Sequence, residues 1–234
     1  LDCIDQWYFD RKTGDQRWGA MFLLEHIRCQ FATHQQGPVL SWLDIHAGDA
    51  YRTLTSTATD CFSVYDYFRR TFPDHPNGKL TYKQGDIVTT TVRTHGGKTI
   101  VINFDMQSPR PYDNRWTVQG TRGIYNEQRD ALYLTGRSPA YHQWEDFPPY
   151  HEKHRHRWAS HASGGHGGAD GIMLNQFVAA VRDKQPLPLS LYDGVLMASI
   201  GPLSERSIAA GSKTVEVPDF TGGAWKTARP YFGR

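Results

Sequence analysis

Histidine is the side chain whose ordinary pKa lies nearest neutrality, so histidine-rich stretches are the first place to look for proton transfer or metal ligation. Six of the eleven histidines in this chain (His142, His151, His154, His156, His161 and His166) fall within residues 142–166. His151, His154 and His156 are close enough in sequence to share a metal ion. Lys153, Arg155 and Arg157 alternate with them, and cationic neighbours disfavour a bound cation, so the stretch reads as a solvated basic loop and no metal site is expected. Gly164–Gly168, with His166 at their centre, precede a helix expected from about Asp170. Their amides and the helix dipole could hold a hydroxyl or an anion, or the glycines could serve only as a flexible lead-in. Thr33 and His34 precede Gly37 and Pro38 at another helix start, where an imidazole can act as a general base or simply pack. In Ser108-Pro109-Arg110-Pro111-Tyr112 two prolines hold Tyr112 at the rim of an expected strand, either as a phenol offered to a ligand or as a packed aromatic.

The elements that position these groups follow from periodicity. Residues 1–19 mix aromatics and charges without a clean period and read as an irregular leading segment. A first helix is expected within residues 20–30 and a second from about Gly37 to His46, because Pro38 suits a first helical turn; Thr33 to Gly37 would then form the turn before it. From Tyr51 the pattern changes to short runs rich in Thr, Val, Ile and Tyr: 51–59, 86–94, 99–106, 116–121 and 131–135. His95-Gly96-Gly97-Lys98 joins two of them as a hairpin. A long polar loop over 136–168 and two helices, about Asp170 to Arg182 and Tyr192 to Ala210, complete the pattern. The reading is α+β, a mostly antiparallel sheet with helices, in one domain over 1–234.

Composition narrows the function classes. With 38% hydrophobic, 21% charged and 13% aromatic residues, the chain has globular composition. Its formal net charge is +2 without a run of like charges, which argues against a nucleic-acid partner. The longest apolar stretch, Ala20 to Leu24, is far too short to span a bilayer. Three cysteines without CxxC spacing (Cys3, Cys29, Cys61) argue against a disulfide framework or a zinc ribbon. The segment Gly97-Lys98-Thr99 lacks the earlier glycine of a phosphate-binding loop, Gly164–Gly168 does not satisfy GxGxxG, and no GxSxG or HExxH occurs. No cofactor-binding residue is therefore assigned in this chain.

Taken in order, the motifs resemble the C-terminal half of glycoside hydrolase family 109, NAD-dependent α-N-acetylgalactosaminidases of the glucose-fructose oxidoreductase (Gfo/Idh/MocA) superfamily. The matches are TH-x-x-GP at Thr33–Pro38, D-I-x-x-GD at Asp44–Asp49, SPRPY at Ser108–Tyr112, QGT-x-G at Gln119–Gly123 and GGHGG-x-D at Gly164–Asp170. Further on come YDG at Tyr192–Gly194, PLSE-x-SIA at Pro202–Ala209 and PDFT-x-G-x-W at Pro218–Trp225.

The resemblance implies a Rossmann domain carrying NAD, absent from this chain, followed by an α+β domain with a large open antiparallel sheet, helices on one face, a sugar pocket and a homo-oligomer contact through the sheet. It also implies a redox glycosidase chemistry, in which hydride leaves sugar carbon 3, carbon 2 is deprotonated, the aglycone is eliminated, water adds and hydride returns. His34 matches the family's active-site histidine and Tyr112 a substrate-contacting tyrosine; Phe31, Thr33 and His166 are assigned to substrate binding. Phe31 stands where the family tends to have Tyr, and Gly19 and Ala20 where an arginine follows the tryptophan matching Trp18. A sugar oxidoreductase of the same superfamily and a non-enzymatic sugar-binding or assembly module are the alternatives. Export to the bacterial periplasm is common in the family.

Overall fold

The computed structural model describes residues 3–230; residues 1 and 2 of the expected leading segment lie outside the described residues. The helices are α1 (Ala20–Glu25), α2 (Ala32–Trp42), α3 (Ser63–Thr71), the single turn α4 (Pro148–His151), α5 (Ala169–Asp183) and α6 (Leu191–Ala209). The strands are β1 (Tyr51–Ala58), β2 (Ile87–Thr94), β3 (Thr99–Asp105), β4 (Thr117–Gly120), β5 (Gly123–Asn126), β6 (Ala131–Leu134), β7 (Glu145–Asp146) and β8 (Val215–Glu216). They fall into two compact units, one running to Arg110 and resuming at Pro188, the other Pro111–Leu187.

The first unit is built on a four-stranded antiparallel sheet in the order β3-β2-β1-β8. Alternation decides its faces: Val88, Thr90 and Val92 are buried with Ile100, Ile102 and Phe104, whereas Thr91 and Val101 face outward. Leu54 pairs with Val92, and the Ser56 and Thr90 hydroxyls, buried side by side, hydrogen-bond at 2.8 Å. The hairpin between β2 and β3 turns on Gly97 in the left-handed region (φ +84°), as the His-Gly-Gly-Lys sequence leads one to expect. Helix α6 supplies Leu196, Ile200 and Leu203 and α2 supplies Leu40 to the same core. A capping box starts α6: the Ser190 hydroxyl accepts from the Asp193 amide, and the Asp193 carboxylate accepts from the Ser190 amide.

A second core in this unit joins Ile4, Tyr8 and Phe9 to Leu23, Val64, Tyr67, Phe68 and Tyr82. The leading segment therefore carries order that its lack of periodicity hid, including a π-helical turn, Ile4–Tyr8. Helix α3 was not expected; its buried Val64, Tyr67 and Phe68 follow helical spacing.

The second unit has its own antiparallel sheet, β4-β5-β6-β7. The span 136–168, expected as loop, contains β7, α4 and short 3-10 turns ahead of α5. The fold is α+β with antiparallel sheets, as the sequence indicates, its strands shared between two sheets of four.

Candidate active site

Helix α2 begins at Ala32, five residues before the expected start at Gly37. Thr33 and His34 accordingly occupy its first turn rather than the turn preceding it. Phe31, left-handed at φ 52°, swings the chain into the helix, and Pro38 lies inside, where it has no N–H to offer the His34 carbonyl. Ala32, Gln36 and Leu40 form the buried stripe, so Thr33 and His34, one and two residues past Ala32, project outward and are exposed. The buried amide of Gln36 fixes this orientation: its Nε2 donates to the carbonyls of Ala32 (3.2 Å) and Met197 (3.4 Å), and its Oε1 accepts from the Tyr51 hydroxyl (3.0 Å). The Phe31 ring, 42% exposed, leans on Phe104 with centroids 6.3 Å apart.

The first unit ends in a clamped turn. Asp105 accepts from the Ser108 amide (3.2 Å) and from Arg110 Nε (3.1 Å), while Arg110 Nη2 donates to the Asp105 carbonyl (3.1 Å). In the second unit Tyr112 is 87% exposed and its hydroxyl donates to Asn114 Oδ1 (3.1 Å). His166 Nδ1 lies 2.9 Å from Asp170 Oδ1. The glycines around them form a fixed turn: Gly168 N donates to Gly165 O (3.0 Å), Ser163 N to Gly168 O (3.1 Å) and Gly171 N to Ser163 O (2.9 Å). Phe31, Thr33 and His34 thus share one helical turn of the first unit, and Tyr112 and His166 belong to the second.

Asp170 was missed as the partner of His166, although their spacing of four residues across a helix start was the available signal. Two further histidines lie within hydrogen-bond distance of carboxylates: His46 Nδ1 of Asp193 Oδ1 at 2.8 Å, and His26 Nδ1 of Glu205 Oε1 at 3.2 Å. Burial pushes the Asp193 carboxyl up, but hydrogen bonds from His46 and Ser190 outweigh it and hold it below the usual range. Burial pushes the Cys29 and Cys61 thiols up to about 12, so neither is poised as a nucleophile.

In the histidine-rich stretch, Phe147 meets His151 edge-on at 4.6 Å and His154 stacks on Tyr150 at 6.3 Å, around a surface hollow that Glu152 and Arg155 also line. Among the described residues no three His, Cys, Asp or Glu side chains converge as a metal site, and no helix is long and apolar enough to cross a membrane. All strand pairings within the two sheets are antiparallel, and Gly164–Gly168 follow a 3-10 turn (Arg157–His161) rather than a strand. These residues form no βαβ cradle for a dinucleotide. Gly19 packs so closely that an added Cβ would come within 2.7 Å of the Trp7 carbonyl oxygen, so an arginine has no room at that position.

The model of the glycosyl hydrolase 109 C-terminal domain matches residues 5–227. The chain is 37% identical over 225 residues to a glycosyl hydrolase family 109 protein of Stenotrophomonas maltophilia (strain K279a), covering 93% of this chain and 49% of that protein. It is 35% identical over 208 residues to an alpha-N-acetylgalactosaminidase of Tannerella forsythia, covering 86% of this chain and 44% of that one. The chain spans about half the length of the curated relatives it matches. Among solved structures it is similar to levoglucosan dehydrogenase in its apo form (TM-score 0.55, 17% identity, 82% of this chain and 51% of that one). A second likeness is to levoglucosan dehydrogenase in complex with NADH and L-sorbose (TM-score 0.51, 17% identity, 81% and 50% of the two chains). These likenesses show the fold alone, an α+β arrangement shared with part of levoglucosan dehydrogenase.

Proposed function

The chain belongs to the glycosyl hydrolase 109 C-terminal domain family, and from that premise we propose that it is the substrate domain of an NAD-dependent glycosidase acting on α-N-acetylgalactosaminides. The observation that carries the reading is the first turn of α2, where His34 and Thr33 face outward from a helix locked to the core through Gln36. An imidazole placed there can take or polarise the proton of a sugar hydroxyl without disturbing packing. Thr33 offers a hydroxyl beside it, and the Phe31 ring an apolar face against the sugar. Tyr112, in the second unit, presents its phenol to solvent, a group that can hydrogen-bond a sugar or carry a proton.

The described residues do not fit a dinucleotide, so NAD would be carried outside this chain, and what it supplies when bound is reversible hydride acceptance. The sugar itself is the partner assigned to this chain. A homo-oligomer through the outer face of β1–β3, where Thr91 and Val101 are exposed, and export to the periplasm belong to the same proposal.

One observation favours a second reading. With Phe31 in place of a tyrosine a hydroxyl that would contact the sugar is missing, and the arginine that follows the tryptophan in the family is absent at Gly19 and Ala20, which suits a different substrate and a parent enzyme that releases a keto-sugar. Incubating the complete enzyme with an aryl α-N-acetylgalactosaminide, after identifying nucleotide released on denaturation, separates the readings. Free N-acetylgalactosamine and about one NAD per chain support the glycosidase. A keto-sugar product supports the oxidoreductase, and absence of both nucleotide and turnover supports a binding or assembly module.

A further inference from the structure

We propose that the hollow in the histidine-rich stretch of the second unit, lined by Phe147, His151, Glu152, His154 and Arg155, binds an uncharged pyranose through two adjacent hydroxyls. It is a sugar subsite additional to the Thr33–His34 turn of the first unit, and it does not depend on the glycosidase reading.

The hollow has a volume of about 340 Å³, at the small end of ligand sites, which run from about 300 to 1,000 Å³. Its walls are braced from behind. The Phe147 amide donates to the Asp130 carbonyl (2.8 Å), which ties the segment to the residue before β6. Pro148 and Pro149 open the single turn α4 and stiffen it. The Tyr150 hydroxyl donates to Glu145 Oε1 (2.5 Å), and Glu145 Oε2 accepts from the Ser138 hydroxyl (2.9 Å). Anchored in this way, the Tyr150 ring lies nearly parallel to Phe147 (centroids 6.4 Å apart, planes 6° apart) and to His154 (6.3 Å, 15°), and so fixes the rings on either side of it.

The rim selects the ligand. Arg155 Nη1 stands 3.7 Å from Glu152 Oε2, too far for a hydrogen bond, so the guanidinium keeps N–H groups and the carboxylate keeps lone pairs for a third group. Both side chains reach solvent, 59% and 85% exposed. A donor and an acceptor this close suit two neighbouring hydroxyls of a sugar ring, one accepting from Arg155 and the other donating to Glu152. Both bonds involve a charged partner and are therefore of the stronger kind. His151 Nε2, 3.8 Å from Asp130 Oδ1, is also beyond hydrogen-bond distance and open to a further hydroxyl. Phe147 supplies an apolar wall for the ring carbons. An anion would be repelled by Glu152 and a cation by Arg155, so the mixed pair favours an uncharged polyol. Lys153 and Arg157, which give the stretch its basic look in sequence, are not among the lining residues.

Titration of the full chain, with its histidine rings isotope-labelled for NMR, tests this. The probes are methyl α-D-galactopyranoside and methyl α-D-glucopyranoside, with sodium sulfate as the charged comparison. The His151 and His154 ring signals should shift saturably with at least one glycoside and not with sulfate. Glu152→Ala and Arg155→Ala should each weaken binding at least about tenfold, because each removes a hydrogen bond to a charged group. Both positions are exposed, so thermal unfolding should be nearly unchanged in the two variants. Arg155→Lys, which keeps a charged donor, should weaken binding less than Arg155→Ala. No shift at His151 and His154 with either glycoside, a shift that survives both alanine substitutions, or a response to sulfate alone would overturn the proposal. None of these three results bears on His34 or on the glycosidase reading.

Discussion

The hydroxyl of Tyr51, the first residue of β1, donates to Oε1 of Gln36 in α2 at 3.0 Å, and both side chains are buried. This bond, with the two that Gln36 makes to backbone carbonyls, decides which face of α2 turns outward and hence where His34 stands.

Removing either partner should therefore cost more than an ordinary hydrogen bond. Tyr51→Phe leaves a buried amide oxygen unmatched, and Gln36→Leu strips the Met197 carbonyl and the Tyr51 hydroxyl, each at about 1–3 kcal/mol. Chemical denaturation of the two variants and the double variant should give losses that do not add, since the bond is lost once. Additive losses would mean the two side chains act independently.

Asp49 should make the fold sensitive to acid. Burial pushes its carboxyl up, but the Gly96 amide, the Thr94 hydroxyl, Lys98 and the Ala50 amide all donate to it and hold it below the usual range. A carboxyl lowered on folding adds stability that is complete above its unfolded pKa, about 4, and is lost as pH falls through the lower folded value. Asp49→Asn should lower stability at neutral pH and flatten the loss below about pH 4. Gly96→Ala should also destabilise, because its Cβ would come within 2.6 Å of Asp49 Oδ2. Parallel stability–pH curves for wild type and Asp49→Asn would refute the linkage.

Positions 31 and 19 should respond in opposite ways to substitution toward the family pattern. Phe31→Tyr adds a hydroxyl to a part-exposed ring and should leave stability within about 0.5 kcal/mol. If that hydroxyl reaches sugar, KM should fall about fivefold, the worth of one net hydrogen bond. Gly19→Arg must move the Trp7 carbonyl and should destabilise by more than about 1 kcal/mol. A stable Gly19→Arg protein would show that the segment near Trp7 yields.

The thiols should be slow to react. With Cys29 and Cys61 pushed up to about 12 by burial, iodoacetamide at neutral pH should label the part-exposed Cys61 slowly and the buried Cys29 only as fast as the protein opens. Mass spectrometry of peptides from native and urea-treated protein reads this directly, and rapid native labelling of Cys29 would contradict its burial.

The sheet of the first unit was legible because Thr, Val and Ile runs alternate around a His-Gly-Gly-Lys turn, and both long helices were legible from apolar spacing. The start of α2 was not, because Pro38 carries a strong first-turn preference, whereas the left-handed residue that opens the helix is Phe31, whose side chain gives no such signal. Helix α3 was overlooked although Val64, Tyr67 and Phe68 carried its period, hidden among charged neighbours. The boundary between the units falls at Arg110–Pro111, inside a motif rather than in a linker, so no composition shift marks it. For the site, residue type left His34 and Tyr112 open between a ligand contact and packing, and the family resemblance chose between them, whereas the pairing of His166 with Asp170 depends on three consecutive left-handed residues that only the backbone reveals.

The most direct test of the central claim is the product formed from an aryl α-N-acetylgalactosaminide in deuterated water by the complete enzyme and its His34→Ala variant. The account predicts N-acetylgalactosamine carrying one solvent deuterium at carbon 2, formed at least about 100-fold more slowly by the variant, whose fold is intact. Product without deuterium, or undiminished turnover by His34→Ala, would contradict it.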